Sequence, residues 1–196
     1  MKKILSFVLI ITAMILVGCG NGKTKSEASV IPPTPTITRA EADAKLERLA
    51  TVLDIQFDDM KEVTFCRCPI DIDMRPSIWI IPYVAIDKNY NAILYQDILY
   101  VGNEPLYFDR LYIKTNSGVE KFQCKNVIKS YAGEEYNGVM SDALYKNLQG
   151  AIKNGHAKFR LEGRTFGERE LTEEELSDME ELFSIYEYFN NVKIEN

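Results

Sequence analysis

Apolar and polar side chains alternate along residues 156–163: Ala157, Phe159 and Leu161 fall on one side, and His156, Lys158, Arg160 and Glu162 on the other. A period of two is that of a half-buried β-strand. Further on the period lengthens, with Leu176, Met179, Leu182, Phe183 and Tyr186 recurring at helical spacing. Thr172 and Glu175 precede them as a capping box, in which each side chain serves a free backbone N–H at the helix start. Thr38 and Glu41 repeat that signature and predict a helix over about 38–52, with Ala42, Leu46, Leu49 and Leu53 on one stripe. Ser141 caps a third helix carrying Leu144, Leu148, Ala151 and Ile152, which ends at Gly155, a residue suited to a left-handed C-cap.

Between the first two of these helices in the chain the sequence is strand-rich. Val63 and Phe65 alternate with polar neighbours, and 77–87, 92–101, 106–115 and 119–124 are dense in Ile, Leu, Val and Tyr. Asn89-Tyr90-Asn91, Gly102-Asn103-Glu104-Pro105 and Asn116-Ser117-Gly118 mark the turns. Connections this short favour antiparallel neighbours, because parallel ones need long crossovers. The expected fold is α+β: an antiparallel β-sheet meander packed with one N-terminal and two C-terminal helices. Pro82 cannot donate to a ladder and places a sheet edge or bulge in its strand. The strand at 156–163 is expected to cover its apolar face with the last helix through Leu176, Met179 and Phe183.

The N-terminus carries a different pattern. Lys2 and Lys3 precede an apolar run over 4–16, and Leu16-Val17-Gly18-Cys19 follows. The run is shorter than the roughly 20 residues that a spanning helix needs, and it is basic at its front and small at its end. These residues resemble a bacterial lipoprotein signal with its lipobox. That resemblance implies a signal peptide over 1–18, a diacylglycerol thioether on Cys19, and a membrane-anchored location on the extracytoplasmic face. An ordinary secretory cleavage site is the alternative. Residues 20–37, rich in Gly, Ser, Thr and Pro, have too little apolar surface to offset ordering and read as a tether. The remaining 38–196 suit a single domain.

Lys158-Phe159-Arg160-Leu161-Glu162-Gly163, followed by Arg169-Glu170-Leu171-Thr172 and an acidic helix, resembles a group of uncharacterised bacterial secreted and lipoprotein domains. That group carries an "IRFEG" strand before an "R-x-LT-x-x-E" helix. Phe57-Asp58-Asp59-Met60 with Val63-Thr64-Phe65 is similar to its opening strand. The resemblance implies a noncatalytic extracytoplasmic domain and supplies no active site.

Charge narrows the partners. Residues 1–18 hold two of the 23 basic side chains and none of the 29 acidic ones, so without them the chain is at about −8. An acidic chain with no run of Lys and Arg excludes a nucleic-acid role and leaves membrane attachment to acylated Cys19. Cys66, Cys68 and Cys124 read as free or partly buried thiols, then as one disulfide to Cys124, and last as a zinc site completed by His156. No cofactor motif is present. Carboxylates are abundant, Asp58, Asp59, Asp71 and Asp73 among them, but none forms a recognisable catalytic pair, and there is no G-x-S-x-G, phosphate loop or H-E-x-x-H. Aromatic residues in the strand region, Trp79, Tyr95, Tyr100, Tyr107 and Tyr112, are the candidate binding surface for a protein or glycan. The expected role is thus a noncatalytic binding protein of the cell envelope. A hydrolase with paired carboxylates and a purely structural surface protein are the alternatives.

Overall fold

The computed structural model describes residues 34–69, 77–130 and 133–195. The expected signal peptide over 1–18, Cys19, the expected tether up to Pro33, and Asp71 and Asp73 lie outside them. The elements run β1 (Thr36–Thr38), α1 (Arg39–Leu49), β2 (Asp54–Asp58), β3 (Val63–Arg67), β4 (Ser77–Asp87), β5 (Ala92–Val101), β6 (Arg110–Thr115), β7 (Gly118–Gln123), β8 (Ile128–Ser130), β9 (Gly133–Val139), α2 (Asp142–Asn154), β10 (Lys158–Glu162), β11 (Phe166–Glu170), α3 (Glu173–Asn190) and β12 (Lys193–Glu195). The fold is α+β, with mostly antiparallel sheets.

Local signals set the helix ends. Both capping boxes form, Thr38 with Glu41 and Thr172 with Glu175. Ser141 accepts from Leu144 N–H, and Gly155 takes φ 67° at the end of α2. On α1 the stripe holds through Ala42 and Leu49, but the helix stops at Leu49, with Ala50 as its C-cap.

The expected single meander is two sheets. A six-stranded sheet has the order β2-β3-β4-β5-β9-β8, and a four-stranded sheet the order β11-β10-β6-β7. The chain leaves the first sheet after β5, and residues 106–109, expected to begin a strand, are the crossover. Glu134 on β9 holds it there. Its carboxylate, only 2 % exposed, accepts from the backbone N–H of Tyr107 (2.7 Å) and of Phe108 (3.0 Å). Gly163 completes the junction: a Cβ there would meet Leu106 O at 2.3 Å, so only glycine lets the two backbones approach this closely. Residues after Gly163 expected to be a turn form β11, which pairs with β10 throughout its length.

Inner faces of both sheets and all three helices share one apolar core. Helix α3 packs on β4 and β5, and α2 on β6 and α3. Ala157 and the inner residues of β10, Phe159 and Leu161, are fully enclosed as expected. Their strand is flanked by β6 and β11, however, and α3 sits chiefly over the other sheet. Pro82 lies inside the sheet, opposite Gln96 of β5, but one residue past the last β3 pair, Arg67 with Tyr83. It thus occupies a position where, among the described residues, β4 pairs on one side only.

The folded unit begins at Thr34, earlier than the expected 38. Thr36 and Ile37, placed by composition in the tether, and Thr38, the expected helix cap, pair in parallel with Lys193–Glu195, and Lys193 N–H donates to Pro35 O at 2.8 Å.

Candidate functional site

The five aromatic residues named from sequence do not meet on one surface. Tyr100 is on the inner side of β5, packed against the core, with its hydroxyl on Glu104 O at 3.3 Å. Tyr107, at φ 53° in the crossover, has its ring between the Lys129 ammonium (3.5 Å) and the Arg164 guanidinium (4.1 Å). Tyr112 lies on the outward side of the four-stranded sheet, between its register partners Arg160 and Lys121. Tyr95 and Trp79 belong to two further places, which carry most of the functional geometry.

Tyr95 stands on the outer face of the six-stranded sheet. There β3, β4, β5 and β9 alternate against an inner set of Cys66, Val84, Leu94 and Ile98, all buried. Tyr83 and Tyr95 are opposite in register and stack at 5.3 Å, nearly parallel at 10°. Arg67 covers Tyr83 at 4.9 Å and Phe65 lies at 6.1 Å. The rings thus stand in file across the strands. Polar groups fix the file: Asn137 Nδ2 donates to the Tyr83 hydroxyl at 2.9 Å and also to Asp97. Burial holds the Asp97 carboxyl above the usual range, and nearby Glu135 pushes the same way. Beside the stack Ile93 and Val139 are 46 % and 60 % exposed.

Trp79 lines a cleft of about 290 Å³ where β4, β11 and the first turns of α3 converge, together with Cys68, Arg169, Glu174 and Asp178. The Arg169 guanidinium lies 4.8 Å over the Trp79 ring. It donates to both oxygens of Glu175, at 3.0 Å through one of its terminal nitrogens. Glu175 also accepts the Thr172 N–H at 2.8 Å. The R-x-L-T-x-x-E motif is therefore one device: its arginine pairs with the glutamate that caps α3, and buried Leu171 ties the turn to Ala157 O. Arg169 Nε and Trp79 Nε1 are buried donors with no acceptor among the described residues. Asp178 is held above the usual carboxylate range by burial and by Glu174 and Glu175.

Three of the four residues of the zinc alternative, Cys66, Cys68 and Cys124, are free, buried thiols. Burial pushes each up to about 12. Among the described residues no three His, Cys, Asp or Glu side chains converge as metal ligands, so the Cys66, Cys68, Cys124 and His156 set is not assembled. The structure separates what that reading joined: Cys66 is on β3 and Cys124 follows β7 in the other sheet. Asp58 serves a turn, accepting from Met60 and Lys61 N–H, which lowers its carboxyl below the usual range.

Sequence reading passed over Arg67, Asp97 and Asn137. A signal was present in the i, i+2 pairs Phe65/Arg67 and Tyr95/Asp97, which any strand places on one face.

No family model and no curated protein matches the chain. Among solved structures, it is similar to invasion associated protein b from Bartonella henselae. The match covers 69 % of this chain and 94 % of that one, at 12 % identity and a TM-score of 0.40. Nothing about activity follows from likeness at that level.

Proposed function

We propose that this chain is a lipid-anchored extracytoplasmic binding protein that docks a protein partner on the outer face of the six-stranded sheet. The observation that carries this reading is that face itself. The sheet already buries one side in the core, so folding does not require Phe65, Tyr83, Tyr95, Ile93 and Val139 on the other. Exposed Ile93 and Val139 give the face an aliphatic rim, which suits a protein surface better than a sugar. The lipobox ending in Cys19 supplies the address, since two or more acyl chains hold a protein durably at a bilayer.

A photo-crosslinking residue at Val139, in the full chain in its native envelope, tests the surface. The expected result is an adduct of discrete mass, absent when the crosslinker is placed at Lys146 on α2. Equal labelling at both positions, or none at Val139, overturns the reading. Fatty-acid labelling tests the anchor separately: Cys19→Ala that keeps full label and membrane retention rules it out.

A hydrolytic reading draws on Asp178, whose carboxyl is held high in a cleft beside Glu174. Both residues stand on α3 one turn apart and so line one wall, whereas a glycosidase flanks its bond with carboxylates roughly 5–9.5 Å apart. Glycan turnover abolished by Asp178→Asn would favour this reading over binding.

A further inference from the structure

Carboxylates gather on the outer face of the six-stranded sheet without cations to match. On β9, Glu135, Asn137 and Val139 alternate on that face, opposite Leu99, Asp97 and Tyr95 of β5. Asp97 and Glu135 are therefore diagonal neighbours, two half-buried carboxylates on the same side of the sheet. Among the described residues neither forms an ion pair. Arg67 acts on Asp97 only from a distance, since its guanidinium lies over the Tyr83 ring at 4.9 Å.

Acceptors also outnumber donors there. Asn137 gives its Nδ2 to Asp97 Oδ1 and to the Tyr83 hydroxyl. Among the described residues, no donor reaches Asp97 Oδ2, Asn137 Oδ1 or the Glu135 carboxylate. Water can serve these oxygens while the face is open. A partner that covers exposed Val139 covers them too, and a carboxylate buried without a cation is strongly destabilising.

We propose that the partner presents an arginine to this face, its guanidinium held by Asp97, Glu135 and Asn137 beside Tyr95, which rests on the docking surface proposed above. Two carboxylates and an amide oxygen match a planar group with five N–H donors better than an ammonium, which offers three from a compact point charge. The guanidinium brings the positive charge that the two acids lack on this face. Arginine and tyrosine are also the side chains that anchor protein interfaces most often.

The adduct formed by the photo-crosslinking residue at Val139, in the full chain in its native envelope, tests it. Asp97→Asn and Glu135→Gln keep the shape and remove the charge; each should lower the adduct by about fivefold, and Glu135→Lys should abolish it. Glu180→Gln on α3 should leave it unchanged. Butylguanidinium should compete at concentrations where butylammonium, at the same ionic strength, does not. Unchanged thermal melts would show that the variants fold. Full adduct yield in the double variant Asp97→Asn, Glu135→Gln overturns the arginine and leaves the docking surface standing. Equal competition by the two cations, or none by either, overturns it as well. No adduct in the natural chain overturns the surface and the arginine together.

Discussion

In β10, Phe159 and Leu161 are enclosed while Lys158 and Arg160 project into water; in β4, Val84 and Ile86 are enclosed, yet outward-facing Tyr83 is itself only 6 % exposed. Both strands obey the same alternation and both inner faces enter the same core. Their outer faces differ: the four-stranded sheet ends in a lattice of charges, the six-stranded sheet in a file of aromatic rings. Alternation reports which residues reach the core. What the second face meets has to be read from its chemistry.

Unfolding measurements can break that contrast, and the largest effect belongs to the inner faces. Phe159→Ala should cost about 3–5 kcal/mol in urea unfolding, because it empties a fully enclosed site. On the outer side of the six-stranded sheet a double-mutant cycle of Tyr83→Ala and Tyr95→Ala should give a coupling of about 0.5–1.5 kcal/mol from the stacked pair. A coupling near zero would reduce the file to coincidental neighbours. Outward residues of the other sheet should matter less. Lys114→Thr, which removes the like charge opposite Lys158, should stabilise by a few tenths of a kcal/mol, up to about 0.5. Equal losses at Phe159 and Lys114 would invalidate the face assignment.

The smallest effect is a pH slope. Asp97 is held above its unfolded range by burial. The native state therefore binds its proton more tightly, and stability should fall as pH rises from the ordinary aspartate range, near 3.8, through the raised value. Asp97→Asn should flatten that part of a stability–pH curve and be neutral to slightly stabilising at pH 7. A curve that keeps its slope in the variant would assign the effect to another group.

Much of this was legible where the cause is local. Strands β4 and β5 run over the expected residues because dense apolar runs end at Asn-rich turns, and Gly155 adopts its left-handed cap. Strands β2, β9 and β11 were not marked by alternation. Their sequences, DIQFD, GEEYNGV and FGERE, are polar, and pairing rather than propensity makes them strands. The division into two sheets depends on Glu134 reaching a crossover formed far earlier in the chain, which no window along the sequence contains. The charged outer face of the four-stranded sheet was hidden for the same reason. Its Lys and Arg residues are scattered along the chain and come together only once β6, β7 and β10 are in register.

The three buried thiols have a kinetic consequence. A thiol held near 12 is thiolate in only about one molecule in 100,000 at pH 7, and the thiolate is the species that alkylating agents and disulfides capture. Burial also denies the reagent access, so modification must wait for the fold to open. Cys66 lies on β3, Cys68 on the cleft wall beside α3, and Cys124 just past β7. Their separate alkylation rates, followed by mass, would serve as three clocks ticking at the opening frequencies of different parts of the molecule, and would show whether the two sheets come apart together or one at a time.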